Sequence, residues 1–386
     1  MGAIDRTRPV VIIGAGMAGL TMALELARRD RPSIVVERAP RLEEVGAGLQ
    51  LSPNALRVLA RLGDLDDLKA RGTVAETVTL HAARTGLSIA SVPVSSADGT
   101  PYLSIHRADL QAWLVRAAAA SSRIDLRLGL DIGAIARDGA DLRVEAISSG
   151  GTEILQAPLV IAADGVNSPT ALRLGLGGST TTGALAWRGR VADGATMPPA
   201  GIEAWLGPRR HAVAYPIAGG RETNLVLIEP AGASADPADL PARFSKWDRR
   251  LGGLIASVDG FTAWPLKAVP GARPWRHLDD RLVLIGDAGH AMLPYAAQGA
   301  AMAIEDAAVL AAHLDRATDL SIALRGYETE RRPRIDKVRS RVDFHRFVYH
   351  LPFPLSLGRN AVLASRSAAS LAGDLAWLYD WRPPRD

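Results

Sequence analysis

Two hydrophobic periods divide the chain. In the first regime, short unbroken apolar runs stand alone: Val10–Ile13, Ile34–Glu37, Leu159–Ala163 and Arg281–Ile285. Runs of this length, bounded by turn residues, predict strands covered on both faces, as in a parallel sheet. Two further strands are expected near Ile124–Leu128 and Leu142–Ile147. Helix-length segments lie between and beyond them, from about Ala18 to Arg29, Pro53 to Leu62, Ser104 through Ala120, and Gly299 to Leu314. Helices fill the rest, with kinks or interruptions expected at Pro333 and Pro352.

In the second regime the period is two. Thr77–His81 and Leu87–Val94 flank Gly86 and predict a β-hairpin. Ala184–Val191, Gly201–Leu206, Ala212–Ile217 and Leu225–Glu229 alternate or are β-branched, with Gly/Pro turns between them. They predict an antiparallel sheet that shares strands with the hairpin. The expected fold is therefore α/β: a Rossmann-like domain with an inserted, mainly antiparallel sheet and C-terminal helices. The boundaries read as 1–72, 99–182 and 272–330 for the first domain, 73–98 and 183–271 for the sheet, and 331–386 for the helical end.

Composition narrows this picture. A chain of 386 residues, 48% hydrophobic with 37 glycines, suits a soluble enzyme with a large core. It has no cysteine, which excludes disulfides, thiolate metal sites and a redox-active cysteine pair. No metal is expected, and cytoplasm is the default compartment. The net charge is only +4, with lysine at positions 69, 246, 267 and 337 alone. Positive charge gathers between Arg325 and Arg346, which reads as a solvated or subunit-facing helix, with no nucleic-acid groove. Arg6, Arg8 and the apolar run to Ala27 imitate a signal peptide, but Glu25 and the glycine spacing argue against export or membrane association. The aromatic tail Trp377–Trp381 is expected to pack on the core, in a monomer or homodimer.

The glycine spacing carries the first chemistry. Gly14-Ala-Gly16-Met-Ala-Gly19 follows a strand and opens a helix, and Glu37 ends the next strand 18 residues after Gly19. This is the pattern that binds an adenine dinucleotide: a tight turn, backbone open to a pyrophosphate, close helix packing and an acid for a ribose. Gly299-Ala300-Ala301-Met302 starts a second helix, whose free amides and positive dipole end suit an anionic ligand group. Glycines also surround Gln50, in Gly46-Ala-Gly48-Leu-Gln50, where backbone can approach a ligand. On the strand from 211 to 215, His211, Val213 and Tyr215 share one face. Such a wall is half polar and half apolar.

Three motifs together resemble the single-component FAD-dependent aromatic hydroxylases related to para-hydroxybenzoate and salicylate hydroxylase. They are the glycine turn with Glu37, Ala163-Asp164-Gly165-Val-Asn-Ser168, and Gly286-Asp287 running to Pro294 and Gln298-Gly299. The resemblance implies an FAD monooxygenase, using NADH or NADPH and O2, that hydroxylates a small aromatic substrate through a flavin C4a-hydroperoxide. It implies cofactor contacts from Gly14, Gly16, Ala18, Gly19, Glu37, Arg38, Gln50, Arg107, Leu130, Asp164, Asp287, Gly299, Ala300, Ala301 and Met302. His211, Tyr215 and the carbonyl of Pro294 are the expected catalytic groups, and Trp187, Arg188, Trp205, Val213 and Gln298 the expected substrate wall. One departure stands out: Ala171 occupies the place where the second motif usually has arginine. A urate or polyketide hydroxylase, an epoxidase, or a non-enzymatic FAD protein shares these motifs and stays open at this level.

Overall fold

The computed structural model describes residues 5–42, 48–192, 201–232 and 236–385. Its central sheet has six strands in the order Arg276–His277, Leu282–Leu284, Val160–Ala162, Val10–Ile13, Ser33–Glu37 and Ile124–Leu128. All pair in parallel except the edge strand Arg276–His277. The two innermost strands are apolar throughout and wholly buried, as a sheet covered on both faces requires. Helices Met17–Ala27 and Gly299–Arg316 pack against one another and share the main core with the sheet. Chain order reverses between Val10–Ile13 and Val160–Ala162, and open α/β sheets bind ligands beyond the carboxyl ends of strands at such a point.

The second sheet has seven strands: Thr262–Ala268, Thr180–Ala192, Glu222–Pro230, Arg210–Ile217, Gly201–Gly207, Thr77–Ala82 and Ser88–Pro93. The early hairpin joins it through a parallel pairing of Thr77–Ala82 with Gly201–Gly207, and the other pairings are antiparallel. The fold class is the one read from the sequence. A small sheet of Gly48–Leu51, Tyr102–His106 and Thr73–Ala75 completes this part of the structure. Gly46 lies outside the described residues.

Several elements escaped the periodicity. Leu142–Ile147 is the middle of a three-stranded meander, Asp131–Asp138, Asp141–Ser148 and Gly151–Ala157. Its outer strands are largely exposed and so carry little apolar signal. The edge strand Thr262–Ala268 contains Pro265, which an edge tolerates because no ladder N–H is needed there. Helices Leu240–Arg243 and Arg249–Ala256 cover the outer face of the seven-stranded sheet with Leu240, Leu251, Leu254 and Ile255.

Of the kink or interruption expected at Pro333, the interruption does not occur, since one helix runs from Leu320 to Tyr349. Buried Tyr327 and Arg331 before the proline, and Ile335 and Val338 after it, anchor both halves to the core. That packing outweighs the single backbone hydrogen bond the proline removes. The break near Pro352 is present, and helices Leu355–Ala364 and Ala368–Tyr379 follow. Among the described residues no helix is long and apolar enough to cross a membrane.

Candidate active site

The glycine turn is built as its spacing demands. Gly14 has φ +101°, in the left-handed region, and a side-chain carbon there would sit 2.6 Å from the Ala163 carbonyl oxygen. At Gly19 the same carbon would lie 1.8 Å from the Gly14 oxygen, so helix and turn touch backbone to backbone. Gly16 differs: a side-chain carbon there would meet nothing within 4 Å. Gly165 and Gly299 also face open space, so bare backbone lines the cleft at three points. Glu37 holds the turn, its two carboxylate oxygens accepting from the Ala15 and Ala39 amides at 2.9 Å each. Carboxylate oxygens have spare lone-pair directions, so this leaves Glu37 able to accept from a ribose as well. Arg38 is exposed beside it, and the Leu130 amide donates to the Glu37 carbonyl at 3.0 Å.

The late Gly286-Asp287 motif comes to the same cleft. Gly286 has φ +57°, and its backbone packs onto the buried Ala18 of the first helix. Asp287 is solvent-exposed although protein surrounds it, as befits a side chain on a cleft floor. Those surroundings push its pKa up, against the pull of His290 and Arg107. Arg107 also lowers the pKa of Arg188, so its charge is felt both at the cofactor loop and on the second sheet. At the start of the helix Gly299–Arg316, Gly299 and Ala300 are half-buried, while Ala301 and Met302 are buried.

Behind this loop is a buried charge network that the sequence reading missed. Asp306 accepts from the Gly286 amide at 2.8 Å and contacts His290 Nε2 at 2.5 Å. Arg331 bridges Asp306 at 2.8 Å and Glu305 at 2.5 Å, and Arg334 and Asn54 also donate to Glu305. Burial would raise the pKa of Asp306, but His290 and Arg331 outweigh it and hold it at about 2.

Near the second motif, Asp164 Oδ2 accepts from the Thr170 amide at 3.0 Å, and its other oxygen is buried without a hydrogen-bond partner among the described residues. Ala171 is buried. A different arginine, Arg273, lies close enough for Asp164 to raise its pKa against a larger lowering by burial. Its guanidinium ties the Ala288 carbonyl to that of Gly177.

On the seven-stranded sheet, register sorts the expected substrate wall into two faces. Arg188 lies opposite Val226, and Val226 opposite Val213, so these three share a face with Tyr215 and His211. Trp187 lies opposite Leu227, Leu227 opposite Ala212, and Ala212 opposite Trp205, which is the other face. The expectation that Trp187 and Trp205 line the substrate site is therefore corrected. Both are buried beneath the covering helices, where Trp187 donates to Glu229 and Trp205 to Asp248 at 2.8 Å.

The inner face carries the remaining groups. Tyr215 donates to the Gly48 carbonyl at 2.7 Å, and burial pushes its pKa up. Gln50 accepts from Tyr102 at 2.9 Å. Gln298 is buried and turned toward Ser52 and Asn54, at 3.1 to 3.3 Å. His211 is 2% exposed, with Nδ1 2.9 Å from Nε2 of His350 and its ring 5.2 Å from that of Tyr295. Pro294, exposed, precedes Tyr295 in the loop that leads to Gln298. His350, His345 and Tyr349 went unremarked in the sequence. Their one signal was a histidine and an aromatic four residues apart on one helix, 345 and 349.

Open glycine backbone at the first turn, an acid at a strand end and the Gly286-Asp287 loop packed on the first helix are the features of a dinucleotide-binding site. Comparison with known proteins agrees: the family model described as FAD binding domain matches residues 7–342. The chain belongs to this family, among its FAD-dependent aromatic-ring monooxygenases. It is 35% identical to 3-hydroxybenzoate 6-hydroxylase 1 of Aquipseudomonas alcaligenes, over 96% of this chain and 97% of that one. It is 36% identical to 3-amino-4-hydroxybenzoate 2-monooxygenase of Streptomyces cremeus, over 97% and 96% respectively. Among solved structures, Klebsiella pneumoniae HpxO with FAD and uric acid matches in fold, with TM-score 0.82 and 24% identity over 97% of each chain.

Proposed function

We propose that this enzyme hydroxylates a small aromatic ring carrying both a hydroxyl and a carboxylate, a hydroxybenzoate or hydroxynicotinate, with NAD(P)H and O2. The observation that carries this reading is Arg188. Its guanidinium is half-buried on the inner sheet face, stacked 5.5 Å over Trp264, and forms no ion pair among the described residues. Burial lowers its pKa, which marks a charge without adequate compensation. A substrate carboxylate supplies that compensation, because arginine's planar fork of donors matches its two oxygens. The names of the two curated relatives, both hydroxybenzoate hydroxylases, agree with it.

Bound FAD supplies the activation of oxygen. The residues present fit it: Gly14, Gly16 and Gly19 for the pyrophosphate, Glu37 for a ribose, and Asp287 with the amides of Gly299 and Ala300 for the flavin end. Val213 and Val226 supply half-buried apolar contact for the ring. Burial keeps His211 neutral, so one of its ring nitrogens is free to accept the hydroxyl proton.

The test compares matched rings with and without a carboxylate: 3-hydroxybenzoate against phenol, and 6-hydroxynicotinate against hydroxypyridine. Stimulation of NAD(P)H oxidation by the carboxylated member of each pair supports the reading. Equal or stronger stimulation by the uncharged members, or by urate, overturns it.

A further inference from the structure

We propose that His350 is the partner through which His211 exchanges its proton with solvent, so that two imidazoles in series serve the substrate hydroxyl. The inference rests on the reading of His211 as the base, and adds a residue from the C-terminal helices to the site.

The geometry is a two-ring path from the interior to the surface. His211, on the strand Arg210–Ile217, is buried, and its Nδ1 meets Nε2 of His350 at 2.9 Å. A hydrogen bond between two ring nitrogens needs one protonated and one bare, so the tautomers of the pair are linked. His350 ends the helix Leu320–Tyr349 and is half-buried. It lines a surface hollow of about 420 Å³ with Asp343, Arg346, Phe347, Leu351 and Pro352. The Arg209 amide donates to the His350 carbonyl at 3.3 Å, fixing the helix end to the strand that carries His211.

The surroundings favour passage over storage of a proton. His211 faces Tyr295 from the loop before Gly299, with Tyr349, His350 and His345 from the long helix. His350 has Arg346 and Asp343 beside it on its own helix, both lining the hollow, and Arg359 from the next. Among the described residues no carboxylate hydrogen-bonds either ring. Burial, followed by the charges of Arg346 and Arg359, lowers the pKa of His350 to about 4. Neither ring therefore retains a proton near neutral pH.

The step balances without electron transfer. The substrate hydroxyl gives its proton to Nε2 of His211 and keeps the electron pair. The Nδ1 proton of His211 crosses to Nε2 of His350, and the Nδ1 proton of His350 goes to water in the hollow. Reversal returns a proton to the ring oxygen after hydroxylation and restores both tautomers.

The experiment uses the FAD-loaded full chain, His350→Gln and His350→Phe. Oxidised protein is mixed anaerobically with 3-hydroxybenzoate in a dye-buffered stopped flow, which reads proton release, while flavin absorbance reads binding. The expected result in both variants is unchanged binding with proton release slowed roughly a hundredfold or more, restored by imidazole in the buffer. Release at the wild-type rate in both variants overturns the proposal. A second arm follows the ring nitrogens of 15N-histidine protein by NMR across pH, without substrate. Coupled titration of His211 and His350 supports the pair, and independent titration overturns it. If no ring in the hydroxybenzoate and hydroxynicotinate panel binds, the substrate reading fails, while the NMR arm still decides the pair.

Discussion

Replacing Arg331 with methionine tests the network behind the flavin loop. Arg331 is 1% exposed and bridges Glu305 and Asp306, both fully buried. The methionine fills much of the same volume but leaves two carboxylates short of positive charge. Removing one partner of a buried ion pair costs about 3–5 kcal/mol. The lower end applies here, because Arg334 remains on Glu305 and His290 on Asp306. An unfolding entropy of ~2.1 cal/mol/K per residue, over 386 residues, gives about 0.8 kcal/mol per degree, so a loss of about 3 kcal/mol lowers Tm by about 4 °C. Asp306 also accepts from the Gly286 amide, so FAD should leave at a lower temperature than in the parent protein. Scanning calorimetry gives the first quantity and flavin fluorescence the second. A variant that melts at or above the parent temperature refutes the view that these charges depend on one another.

Other expectations follow from single contacts. Gly19→Ala places a carbon on the Gly14 carbonyl oxygen, so the protein should purify largely without FAD and melt early, whereas Gly16→Ala, facing open space, should weaken FAD binding and leave the apoprotein melt unchanged. Equal apoprotein melts for both variants count against this division, and absorbance after gel filtration gives the FAD content. Arg188→Met removes a charge-assisted hydrogen bond of about 1.5–3 kcal/mol, which raises KM for a carboxylated ring about 10- to 150-fold and barely changes it for the matching phenol. Equal rises for both sink the carboxylate assignment. Burial depresses the pKa of His211, and takes His345 and His350 to about 4, below the ordinary histidine value of 6.5. The unfolded chain then binds more protons, so stability is full above about pH 6.5 and is lost toward pH 4, by up to about 1.4 kcal/mol per pH unit for each ring. Urea melts across that range should steepen accordingly, and His345→Phe, which keeps a ring against Tyr349, should flatten the slope. An unaltered slope in that variant contradicts burial as the cause.

The Val10–Glu37 unit was legible because strand, glycines, helix and acid are all local, and each has a fixed backbone duty. The seven-stranded sheet was legible as a sheet because alternating or β-branched runs mark six of its strands. What the period could not supply was register. Trp187 and Trp205 look like ring-binding residues in isolation, and only the pairings through Leu227 and Ala212 reveal that they face the covering helices. Likewise, the positions of Arg331 and His350 are set by tertiary contacts with partners more than twenty residues away in sequence. At Pro333 the local rule allowed a kink or an interruption, and packing on both sides of it kept one continuous helix.

Incorporation of oxygen from the gas phase tests the central claim most directly. FAD-loaded protein, NAD(P)H and a panel of hydroxybenzoates and hydroxynicotinates are incubated under isotopically heavy O2, with reductant consumption and product mass followed together. The account predicts that one carboxylated phenol or pyridine accelerates NAD(P)H oxidation and leaves with one heavy oxygen atom in its ring hydroxyl. A panel in which reductant is consumed but no ring gains an oxygen atom from the gas would contradict it.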